Sequence, residues 1–75
     1  MIMMDSYKDD MEEQLRGLTP AQLNRLPMSV DEILNDYDTA DSLWYHYQKC
    51  VSEYGCDPEY AILDAIQETM GVNLF

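Results

Sequence analysis

The sequence predicts an all-α fold, a compact bundle of four to five short helices formed by a single domain over residues 1–75. Three observations predict it. Apolar residues recur at spacings of three and four, the period of one helical face. Helix start and stop signals punctuate the chain at intervals of roughly ten to fifteen residues. Valine, a strong strand former, stands only at positions 30, 51 and 72. An apolar fraction of 47% supplies one small core, and no repeat, low-complexity tract or linker divides the chain.

The first helix is expected from about Met4 to Leu18, with residues 1–3 as a disordered start. Its stripe is Met4, Tyr7, Met11, Leu15 and Leu18, and Glu12 can pair with Arg16 one turn on. Thr19-Pro20 reads as an N-cap followed by proline in the first turn, opening a short helix with Leu23 and Leu26 inward. That helix must stop before Pro27. Ser29-Val30-Asp31-Glu32 fits a capping box and Met28 with Ile33 a hydrophobic staple, so a third helix is expected from Val30 to about Tyr37. It should bury Val30, Ile33, Leu34 and Tyr37.

Asp38 or Thr39 is expected to cap a fourth helix ending at Gly55. Its inner face would hold Ala40, Leu43, Trp44, Tyr47, Cys50, Val51 and Tyr54, with Tyr45, Gln48, Lys49 and Ser52 opposite. Asp57-Pro58 repeats the cap-and-proline signal and starts a last helix, which Gly71 ends. Ile62, Leu63, Ile66 and Met70 should face inward. Asp57, Asp64 and Glu68 share a narrow outer arc, with Tyr60 beside it. The tail Val72-Asn73-Leu74-Phe75 is expected to fold back onto the core.

Charge is the largest anomaly. Fifteen acids oppose four bases, for a net charge of −11. Residues 1–41 carry ten acids and three bases, and residues 42–75 five and one, so the excess is spread over the whole chain. That balance argues against direct binding of nucleic acid or of an anionic membrane, both of which need Lys and Arg. The longest apolar run is about four residues, too short to span a bilayer. The start lacks a basic segment and a long apolar core, so a cytoplasmic protein is expected. Two cysteines make no disulfide framework and are expected as thiols.

The plain reading of the acids is solubility. The sharper one is that carboxylates on a rigid helical body imitate a run of phosphates and compete for a basic groove. In length, charge and helical texture the chain resembles the small acidic proteins that phages and mobile elements use against host machinery, several of which mimic DNA. The resemblance implies an anti-defence or host-takeover inhibitor acting in the host cytoplasm, with a nucleic-acid-binding protein as partner. No motif carries it and no residue is transferred by it.

Asp41-Ser42-Leu43 resembles a second family, the acyl carrier proteins, acidic four-helix bundles with Asp-Ser-Leu at the start of their second helix. The resemblance implies phosphopantetheine on Ser42. The chain departs from that family: Thr39 stands in place of the usual glycine, and Trp44-Tyr45-His46-Tyr47 replaces an aliphatic and acidic helix. Only 33 residues follow Ser42.

His46, Cys50, Cys56 and Asp57 form the one metal-like set, but Cys50 falls in the apolar stripe and the spacing lacks a tight cysteine pair. No metal or cofactor is expected. Asp36-Tyr37-Asp38 with Asp41 opens like a calcium loop, yet Asp41 and Tyr47 occupy the places of the required glycine and glutamate. No nucleophile beside His46 sits in an activated setting, so no enzyme is expected.

The expectation is therefore a protein-binding protein. Asp9, Asp10, Glu12 and Glu13 on the first helix and Asp57, Asp64 and Glu68 on the last would meet a basic surface. Tyr45 or Tyr60 would serve as aromatic anchors. A carrier modified on Ser42 is one alternative. A homodimer through the Met4, Tyr7, Met11, Leu15, Leu18 seam is another, although Gln14 interrupts its strict heptad.

Overall fold

A computed structural model of the chain describes the backbone from Ile2 to Phe75 and the side chains from Asp9 onward. Met1 of the expected disordered start and the side chains of the seam positions Met4 and Tyr7 lie outside the described residues. Five helices follow one another: α1 (Ile2–Arg16), α2 (Pro20–Arg25), α3 (Val30–Asn35), α4 (Tyr37–Glu53) and α5 (Pro58–Met70). No strand occurs among the described residues, and the fold is an all-α bundle. Its radius of gyration, 11.2 Å, matches the value of about 11 Å for a compact chain of this length.

Local chemistry sets most boundaries. Thr19 caps α2 in a full capping box: the Gln22 N–H donates to Thr19 Oγ1 (3.2 Å), and the Thr19 N–H donates to Gln22 Oε1 (3.0 Å). Ser29 and Glu32 repeat the device at α3, at 3.2 and 3.4 Å. Gly71 ends α5 in the left-handed region at φ 71°, which a side chain rarely adopts. Gly55 does the same after α4 at φ 65°.

The core consists of Met11, Leu15, Ile33, Leu43, Tyr47, Cys50, Ala61, Ile62, Ala65, Ile66 and Leu74. Helices α4 and α5 pack most extensively against each other, and α1 and α3 close over them. Leu74 is buried, so the tail does fold back. Ala61 and Ala65, which a reading by side-chain size passes over, are fully buried on α5. Their small side chains let the helices approach, and they shift the inner face away from Leu63 and Met70, which are half-buried.

Four expectations are corrected. Tyr37 is 77% exposed. α3 ends at Asn35, and the extended Asp36 (φ −88°, ψ 105°) resets the helical phase before α4 begins, so the stripe from Val30 and Ile33 does not continue to Tyr37. For the same reason α4 is capped by Asp36 rather than by Asp38 or Thr39; Thr39 Oγ1 instead donates to Asp36 Oδ2 at 2.9 Å. Tyr54 is 70% exposed, because it closes α4 where Gly55 turns the chain away. α2 contains no buried residue: Leu23 is half-buried, and Leu26, just past its end, packs against the core edge.

Candidate interaction surface

Every charged side chain among the described residues remains at least partly exposed. Arg16 makes both ion pairs found among them, to Glu12 Oε2 on its own helix and to Asp31 Oδ1 on α3, each at 3.0 Å. These two carboxylates hold the guanidinium's pKa above its ordinary value, the Asp31 hydrogen bond most strongly. They also clip α1 to α3. Lys49 lies 5.6 Å from the centre of the Tyr45 ring, and the hydrogen bond with Tyr45 leads the effects that raise its pKa. Two of the three described bases are thus occupied locally. No other described carboxylate forms an ion pair with a described base.

The fold divides the α1 acids between two flanks. Asp9 and Glu12 border a depression of about 250 Å³ with Tyr37 and Asp41, which the chain brings in from the start of α4. Asp10 and Glu13 stand nearer Tyr47 of α4; burial first, and then these two charges, push its phenol upward. Met11 and Leu15, part of the seam that the homodimer alternative invokes, are buried in the chain's own core.

The α5 acids are also divided. Asp64 and Glu68 border a depression of about 260 Å³ with His46, Lys49, Cys50 and Tyr54, so α4 and α5 place the Lys49 ammonium near carboxylates there. Asp57 instead lies at the opening of a groove of about 580 Å³ with Tyr60 and Phe75. It occupies the N-cap position of α5, but its carboxylate makes no capping hydrogen bond. Tyr45 and Tyr60 are about half exposed, at 48% and 52%. Tyr45 packs edge-on to His46 at 5.3 Å. Tyr60 packs on Phe75 at 5.2 Å, and Phe75 is 55% exposed.

Phe75 and Glu59 are surface residues that the sequence reading did not select. The signal for Phe75 was its place in an apolar tail expected to turn back. Glu59 stands in the first turn of α5, where an acid complements the helix dipole, so nothing in its local sequence marks it as part of a groove.

Ser42 sits in the second turn of α4, since that helix starts at Tyr37, and is half-buried with its Oγ 3.4 Å from Thr69 Oγ1. Cys50 is buried and Cys56 half-buried, and both are free. Burial, then the hydrogen bond with Cys56, pushes the Cys50 thiol up to about 12. Among the described residues no group of three or more His, Cys, Asp or Glu side chains is placed to hold a metal ion. No described helix is long and apolar enough to cross a membrane. Comparison with protein-family models, with curated proteins and with solved structures finds no match to the chain.

Proposed function

We propose that the protein is a helical acidic inhibitor that occupies the basic, nucleic-acid-binding surface of a protein partner, in the manner of DNA-mimicking phage anti-defence or host-takeover proteins. The observation that carries the reading is the imbalance of the surface. A chain of net charge −11 keeps its described carboxylates in contact with solvent, and the ion pairs among the described residues neutralise only Glu12 and Asp31. Fixed on helices, the remaining acids present negative charge without the entropy loss of ordering a flexible tail. Such a field accelerates encounter with a basic partner and weakens steeply with salt.

The test is a pull-down from a nuclease-treated bacterial lysate, eluted along a salt gradient. The released protein is then titrated with DNA and RNA in the presence and absence of the acidic chain. The expected result is a basic protein released by moderate salt whose nucleic-acid binding is lost as the acidic chain is added. Retention that ignores salt, or a partner that keeps its nucleic acid, overturns the proposal. The half-buried Ser42 gives the carrier alternative no structural support.

A further inference from the structure

The net charge identifies a class of partner but no place on the molecule where an ordinary protein contact would be anchored. Exposed aromatic side chains are the natural anchors, because they supply large apolar area with little rotamer entropy. Five large hydrophobic side chains are exposed among the described residues: Tyr37, Tyr45, Tyr54, Tyr60 and Phe75. Tyr60 and Phe75 are the pair among these whose rings touch, with centres 5.2 Å apart. Both line the groove of about 580 Å³ at the start of α5, which Leu63 and Pro58 also line. A second groove, of about 440 Å³, reaches Leu18 at the end of α1 and shares Gln14, Glu59 and Leu63 with the first. The shared residues place the two grooves side by side, as a channel along α1, α5 and the tail.

Among the described residues its charge has a single sign. Asp57 lines the first groove, Glu13 the second and Glu59 both, and no described Lys, Arg or His lines either. The depression on the other side of α5 differs, since His46 and Lys49 stand there beside Asp64 and Glu68. Leu63 is only half-buried. The channel therefore couples apolar lining to a rim whose described charges are all acidic. Charge complementarity selects the occupant. A second copy of this chain would bring more acid to that rim, whereas a basic segment would satisfy rim and lining together.

Resting on the reading that the partner is basic, the geometry points to this channel as the docking site for a protein segment that places an apolar side chain between Leu63 and the Tyr60–Phe75 pair, while its flanking lysines or arginines meet Asp57, Glu59 and Glu13. Contact with the partner is then not charge alone. It has an apolar anchor, and that anchor lies at one end of α5 rather than along the Asp57, Asp64, Glu68 arc.

The test uses two fluorescent peptides of about 15 residues with equal positive charge, one amphipathic with Leu and Trp on one helical face and one with Ser in their place. Binding to the full chain is read by anisotropy, and the contact is located by amide chemical-shift mapping. The amphipathic peptide is expected to bind at least about tenfold more tightly, a difference of roughly 1.4 kcal/mol. Its shifts should cluster at Leu18, Tyr60, Leu63 and Phe75. Tyr60→Ala with Phe75→Ala should erase that preference while preserving the far-UV circular dichroism spectrum. Asp57→Asn with Glu59→Gln should weaken the amphipathic peptide more than Asp38→Asn with Glu53→Gln, which removes the same charge elsewhere.

Equal binding of the two peptides, unaffected by the Tyr60 and Phe75 changes, overturns the docking site and leaves the charge-based reading standing. Shifts centred on the His46–Asp64 depression overturn it as well. Concentration-dependent dimerisation abolished by the Tyr60 and Phe75 changes would assign the channel to a second copy and overturn the proposal. Failure of both peptides to bind overturns the site for this class of occupant, while the lysate experiment decides the broader reading separately.

Discussion

Truncation of Ile66 to alanine tests the core directly. The side chain is fully buried between elements that meet nowhere else so extensively as at α4 and α5. Three carbon atoms are lost, costing about 2.4 kcal/mol at about 0.8 kcal/mol for each buried methylene. The cavity left behind raises the loss, and substitutions of this kind cost about 2–5 kcal/mol in all. Natural domains hold about 0.05–0.15 kcal/mol per residue, or roughly 4–11 kcal/mol for a chain of this length. Ile66→Ala is thus expected to remove a large part of the total. At about 4–8 °C per kcal/mol for so small a domain, a loss of about 3 kcal/mol lowers Tm by roughly 12–24 °C. Circular dichroism at 222 nm against temperature, at fixed salt, measures it. Leu43→Ala, at an equally buried position, should behave alike, whereas Leu63→Ala should cost less than half as much because Leu63 is half-buried. Melting of Ile66→Ala within about 2 °C of the parent, or a larger loss from Leu63→Ala, would refute the placement of the core.

Gly71→Ala should destabilise by about 1–2 kcal/mol, seen in urea melts, because φ is 71° there and no atom within 4 Å crowds the added carbon, leaving backbone strain as the cause. For Cys50 the sign follows from a folded pKa raised from 9.0 to about 12: the folded state keeps a proton that the unfolded state releases. Its contribution is complete below pH 9 and is lost as pH rises toward 12, so Cys50→Ala should show a shallower loss of stability over that window. Iodoacetamide at neutral pH should label the half-buried Cys56 well before Cys50, as peptide mass mapping would reveal. Self-repulsion from a net charge of −11 predicts that Tm rises from about 20 mM to about 500 mM sodium chloride; an unchanged or falling Tm would show that the surface acids are locally compensated.

The parts of the fold legible in the sequence are those decided within a turn or two of chain. Thr19-Pro20, Ser29 with Glu32, Gly55 and Gly71 all act where their side chains or backbone angles predicted. Glu12 and Arg16 pair for the same reason. Phase across a junction was not legible. One extended residue, Asp36, separates α3 from α4 and turns Tyr37 outward, although the spacing from Ile33 is helical. Nor does spacing reveal which apolar face a neighbouring helix approaches most closely, which is why Ala61 and Ala65 were overlooked. The candidate surface shows the same limit. Asp9 and Glu12 belong with Asp41, while Asp10 and Glu13 belong with Tyr47, a division that only the crossing of α1 over α4 creates. Tyr60 was legible as exposed; its partner Phe75 comes from the other end of α5, through a turn at Gly71.

The attachment of α2 sets how the molecule breathes. That helix has two good ends but buries no residue of its own, and one tie runs from Gln22 Nε2 to the carbonyl oxygen of Leu74 at 3.4 Å. Little holds it down apart from Leu26 at its exit and this link to the tail. Amides of α2 should therefore exchange with solvent through an opening far smaller than global unfolding, while those of α4 and α5 wait for the whole domain to melt. Leu74 is buried in the core, so loosening the tail would loosen α2 with it. Because Gln22 lines the channel beside Leu18 and Phe75 lines it too, loosening α2 and the tail would open that channel against a firm α5 side.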